Sequence, residues 1–69
     1  MTLSRELENE LTDAKGMSLS DARHTIMDMC EAFFDAGEEP DEILISEGLD
    51  VDFTEDFLSA CARYDAIGR

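Results

Sequence analysis

Ser18-Leu19-Ser20-Asp21-Ala22-Arg23-His24-Thr25-Ile26-Met27-Asp28-Met29-Cys30-Glu31-Ala32-Phe33-Phe34-Asp35-Ala36-Gly37 is the stretch on which the fold turns. Ser18 and Asp21, three residues apart, make a capping box that starts a helix. Gly37 supplies the left-handed residue that stops one. In between, Leu19, Ala22, Ile26, Met29, Cys30 and Phe33 gather on one side when turned by about 100° per residue. Asp21, Asp28, Glu31 and Asp35 gather on the other. The segment reads as one helix with a core face and a carboxylate face.

Upstream, Leu3, Leu7, Leu11 and Ala14 repeat at i, i+4, i+8 and i+11, which predicts a helix from about Leu3 to Lys15. Thr2 is its candidate cap, Lys15 suits the negative end of its dipole, and Gly16 its C-terminus. Downstream, Glu38 and Glu39 form a turn, and Pro40 fits a first helical position. Ile43, Leu44 and Ile45 then carry a short helix to Gly48, with a short strand as the competing reading. Asp52 with Glu55 is a capping-box candidate, with Thr54 as the alternative cap. The last helix runs to about Ala66, with Phe53, Phe57, Ala60, Cys61 and Tyr64 on its apolar face. The expected fold is all-α, a single small domain over residues 1–69 with three to four short helices. Its core is expected to include Leu7, Leu11, Ile26, Cys30, Phe33, Leu44, Phe57, Cys61 and Tyr64.

The chain has 69 residues, and 43% of them are hydrophobic. A domain this size buries only about 60% of the surface its unfolded chain exposes, so its core is thin and a deep substrate cleft is not expected. Eighteen acids face five bases, a net charge of −13. A surface of that sign repels nucleic-acid phosphates and anionic membranes. No apolar run approaches the roughly 20 residues of a membrane span, and Met1 to Leu7 lacks the pattern of a secretory signal. A cytoplasmic location is the expectation.

The chemistry-bearing residues give little sign of an enzyme. His24, the one histidine, lies near the acidic side of the second helix, and it reads as a surface imidazole. Cys30 and Cys61 each lie on an apolar face and read as buried thiols, a disulfide between helices two and four being the alternative. Asp50-Val51-Asp52-Phe53-Thr54 begins like a calcium loop. It then fails, because Glu55 stands where glycine is needed and Cys61 where a bidentate glutamate is needed. Gly37 to Ala66 has the spacing of a helix-turn-helix pair, but Glu55 and Asp56 occupy the positions that would read DNA, so the segment reads as packing architecture. No catalytic residue, cofactor or metal site is assigned.

What remains is the carboxylate pattern. Glu6, Glu10 and Asp13 follow one another at i, i+4 and i+7 on helix one. Asp28, Glu31 and Asp35 do so at i, i+3 and i+7 on helix two, with Asp21 two turns earlier. Glu38, Glu39, Asp41 and Glu42 crowd the next turn. Like charges three or four apart on a helix cost about 0.2–0.5 kcal/mol each. Solubility needs a net charge of only about 2–8. Two stronger explanations are adaptation to high salt, which screens the repulsion, and imitation of a polyanion, whose rows of charge would fill a basic groove and release its counterions.

In length, charge, helical pattern and acidic helix faces such as Asp21/Asp28/Glu31/Asp35, the whole chain resembles the small acidic phage-encoded anti-CRISPR proteins that act on type I surveillance complexes. That family shares no sequence motif, so no family residue maps onto a position here. The resemblance implies a protein that binds a basic DNA-contacting surface of the Cas proteins and keeps target DNA out; a monomer is expected, in the host cytoplasm if the chain is phage-encoded. The expected contact residues are the eleven acids of the two rows and the turn. The alternatives are a salt-adapted or generic acidic adaptor domain, or a module with an apolar groove anchored by Met27 and Phe34.

Overall fold

The computed structural model describes residues 2–68, and its first helix opens two residues later than Thr2 would have it. Ser4 is the cap. Its backbone is extended, and its hydroxyl accepts from Leu7 N–H at 3.3 Å. Helix α1 runs Arg5–Asn9 and continues as a π-helical segment, Glu10–Ala14. The Thr12 hydroxyl donates to the Asn9 carbonyl at 3.2 Å within this wider turn. Each residue there adds less rotation than in an α-helix. Ala14, expected on the leucine stripe, is therefore carried out to solvent, while Leu3, Leu7 and Leu11 stay buried.

Helix α2, Leu19–Asp35, is the central element. The Ser18 hydroxyl accepts from Asp21 N–H at 3.1 Å, the N-cap half of the expected capping box. The helix closes through Ala36, and Glu38 N–H reaches back to the Ala32 carbonyl at 3.3 Å across Gly37, whose φ is +68°. Helix α3, Pro40–Ser46, begins at its proline and settles the helix-or-strand alternative for Ile43-Leu44-Ile45. A 3₁₀ turn, Val51–Phe53, leads into helix α4, Thr54–Ile67. The side chain that caps this region is Asp50, accepting from Asp52 N–H at 2.9 Å. Neither Asp52 nor Thr54 caps α4, contrary to expectation: Thr54 is already helical, and its hydroxyl donates to the Val51 carbonyl. The extra 3₁₀ turn moves the capping job two residues upstream.

The described residues form no strand and measure 27 × 24 × 17 Å. Since a helix with its side chains is about 10–12 Å across, the short dimension holds two interdigitated helical layers. Helix α2 packs against α1, α3 and α4. Phe57, Leu7, Leu11, Ile26, Met29 and Leu44 are the largest fully buried side chains. Each contributes about 1.5–3 kcal/mol by leaving water. Phe33 and Tyr64, expected in the core, are only half-buried. They sit with Phe34 in an aromatic row at its edge: Phe33 meets Phe57 edge-on at 6.1 Å and Phe34 at 5.2 Å, and Phe34 stacks on Tyr64 at 6.3 Å. Leu19, expected on the stripe, is 46% exposed. Ile43 and Leu49 join the core without having been expected there.

Candidate functional site

Carboxylates cover this fold. All eighteen acids except Glu8, which is buried, and Glu10 and Asp56, which are half-buried, are exposed. Asp28, Glu31 and Asp35 lie on one continuous α-helix, so their i, i+3, i+7 spacing puts them in a single row with neighbours about 5–6 Å apart. Asp21 begins that row two turns earlier. Asp35 is the last residue of α2, and the bond from Glu38 N–H to the Ala32 carbonyl folds the next acids over that end. Glu39 is the first residue before α3. Asp41 and Glu42 stand in its first turn, where Asp41 Oδ1 accepts from Glu42 N–H at 3.0 Å. The row and the turn therefore follow one another in space. On the first helix the geometry is less regular: Glu6 and Asp13 are exposed, but Glu10 is half-buried and the π-helical segment breaks the register of Asp13.

The bonds described for two of the bases lead elsewhere than to these rows. The ion pair between described residues is Arg23 Nε to Glu8 Oε2 at 3.2 Å, and it engages the one buried acid. The same guanidinium donates to Thr2 Oγ1 at 3.3 Å, and Arg63 Nη1 donates to the Leu3 carbonyl at 2.9 Å. Two arginines thus stitch the N-terminal segment to α2 and α4. The helix ends repeat the pattern. Acids occupy the first turn of every α-helix, where they suit the dipole, and no last turn carries a base.

Glu8 was not among the expected site residues. The available signal is its place on the helical wheel, one turn after Ser4 and at the edge of the leucine stripe, on the side away from Glu6 and Glu10. Beside it, between the start of α1 and the first half of α2, lies a cleft of about 470 Å³. Leu3, Ile26, Met27 and Leu19 make its apolar wall, and Glu8, Arg23, Ser20 and His24 its polar one. Met27 and Phe34 are half-buried; the more exposed large apolar side chains are Ile45, Val51, Leu58 and Ile67 together with Leu19.

Three other side chains are perturbed: Cys30, Cys61, whose pKa is lowered first by its hydrogen bond with Cys30, and Tyr64. Cys30 and Cys61 are buried free thiols facing each other between α2 and α4. The Cys30 thiol is held well above the usual range, first by its hydrogen bond to Cys61 and then by burial, so it is a poor nucleophile. Tyr64 donates its phenol proton to Glu31 Oε1 at 3.2 Å. Its pKa is raised above 10.0 by desolvation first, then by this bond and by the charges of Glu31 and Asp35. A raised folded pKa contributes stability that is complete below the ordinary value and is lost as pH climbs through the raised one. Tyr64 is the one tyrosine and there is no tryptophan, so tyrosinate absorbance reads it cleanly. The midpoint is expected above 10.0 in the folded chain, and Glu31→Gln should move it down; an unchanged midpoint would deny the contact. Among the described residues no His, Cys, Asp and Glu side chains group as a metal site, and no helix is long and apolar enough to cross a membrane. No protein-family model matches the chain, and neither a curated protein nor a solved structure matches it.

Proposed function

We propose that the protein is a non-enzymatic inhibitor that lays its carboxylate rows in a basic, DNA-contacting groove of a partner, in the manner of the acidic anti-CRISPR proteins it resembles, and so keeps target DNA from a type I surveillance complex. The observation that carries this reading is the division of labour among charges. The bonds described for Arg23 and Arg63 tie down the N-terminal segment, while Asp21, Asp28, Glu31 and Asp35 line the outer face of the central helix and lead into the Glu38–Glu42 turn. Self-repulsion of this kind works against the fold, and a basic partner relieves it on binding. Binding is electrostatic, so it weakens steeply with added salt.

The test is competition between the protein and a labelled target duplex for a purified type I surveillance complex. The wild type should displace the duplex. Asp28→Lys, Glu31→Lys and Asp35→Lys together remove three contacts of about 1 kcal/mol each, which predicts a loss of about a hundredfold or more in competition. Helicity by circular dichroism should be kept. A folded triple variant that competes as well as the wild type would remove this reading. Cooperative melting seen only at molar salt would favour salt adaptation in its place.

A further inference from the structure

We infer that Cys30 and Cys61 are a redox pair, which hydrogen peroxide converts to a disulfide that staples α2 to α4 and holds the domain folded. The chain has these two cysteines and no others. Thirty residues separate them in sequence, yet both are buried and reduced where α2 packs on α4. The Cys30 thiol donates its hydrogen to the Cys61 sulfur, so the sulfurs themselves meet, as well as the helices that carry them. Packing alone asks for a small apolar side chain at each position. It does not ask that the two thiols touch. The pair needs no partner protein, so its chemistry stands apart from the carboxylate rows.

The two sulfurs are unequal. Their hydrogen bond keeps the proton on Cys30 and lowers the pKa of Cys61, which burial only partly offsets. Cys61 is therefore the sulfur that attacks first. Its thiolate breaks the O–O bond of the peroxide, displaces hydroxide and becomes a sulfenic acid. The Cys30 sulfur then attacks the Cys61 sulfur, the S–O bond breaks, and the oxygen leaves with the Cys30 proton as water. In sum, two thiols and one hydrogen peroxide give one disulfide and two waters; sulfur is oxidised and the peroxide oxygen reduced. Cys61 is 2% exposed and Cys30 not at all, so the oxidant has to be small and to enter as α4 opens locally. The turns after Cys61 suit such an opening, with Ala62, Arg63, Asp65, Ala66 and Ile67 all exposed. The disulfide closes a loop that contains α3 and the Glu38–Glu42 turn, and it removes freedom from the unfolded chain. That constraint is large beside the thin core of so small a domain.

The test treats the reduced full chain with hydrogen peroxide. Thiols counted after unfolding should fall from two to none, and dithiothreitol should return both. By intact mass, that reduction should add two hydrogens per chain. The product should run as a monomer on a non-reducing gel. It should melt about 10 °C above the same sample once re-reduced. A thiol count that stays at two, a loss that dithiothreitol does not reverse, or disulfide-linked dimers would overturn the pairing. An oxidised chain that melts no higher than its re-reduced form would overturn the staple. These readouts need neither a variant nor a surveillance complex, and the duplex competition judges the mimicry reading separately.

Discussion

Phe57→Ala is expected to leave the chain largely unfolded in dilute buffer at room temperature. Phe57 is wholly buried in α4, under α2, with Phe33 edge-on against it. Truncating a buried phenylalanine costs about 3–5 kcal/mol, in lost transfer energy plus the cavity left behind. A core in a chain below about 70–80 residues rarely supplies more than about 3–5 kcal/mol in the first place. Self-repulsion among the surface carboxylates reduces the margin further. The helical circular dichroism signal should collapse, and molar salt should restore part of it by screening the charges. The neighbouring Leu58→Ala is the contrast: Leu58 is 41% exposed, and its loss should stay within about 0.5 kcal/mol. A Phe57→Ala protein that melts within a few degrees of the wild type would mean that the core is not packed around this ring.

Arg23→Ala should cost about 2–3 kcal/mol, read as a lower urea midpoint at unchanged slope. Removing one partner of a buried ion pair costs about 3–5 kcal/mol because it strands the other charge. Glu8 meets that condition, but Arg23 is 38% exposed, and solvent screening takes the value below that range. Part of the loss comes from Thr2, which Arg23 also holds, so the first turn of α1 should exchange its amides faster. Pairing the change with Glu8→Leu should recover most of the stability, since the stranded charge goes with it. A single variant as stable as the wild type would show that Glu8 is not held by this guanidinium.

Local signals explain how much of the architecture was readable. The Ser18/Asp21 box, the glycines 16, 37 and 48, and Pro40 each act within one turn of themselves. Their helix ends therefore appear where the spacing puts them. The departures come where a neighbour in space or a backbone irregularity intervenes. Ala14 leaves the stripe because the Glu10–Ala14 turn is π-helical. Leu19 lies beside a cleft rather than under a helix, so it stays exposed. Phe33 is held at the rim because the wholly buried ring beneath it is Phe57, and Tyr64 lies farther out, stacked on the half-buried Phe34. The carboxylate row on α2 was legible for the same reason its helix was. The Glu8–Arg23 pair spans fifteen residues, and no pattern within one helix announces it.

Composition and periodicity alone determined that the chain is helical, that α2 is two-faced, and that net charge is the dominant feature of its surface. Those properties depend on 3.6-residue repetition and on counting charges, and neither requires knowing where the other helices lie. The tertiary structure alone decided which charge is buried, which bases are spent inside the fold, and where a cleft opens between α1 and α2. These follow from how helices pack against one another, and a side chain's burial and partners are set by the elements that close over it.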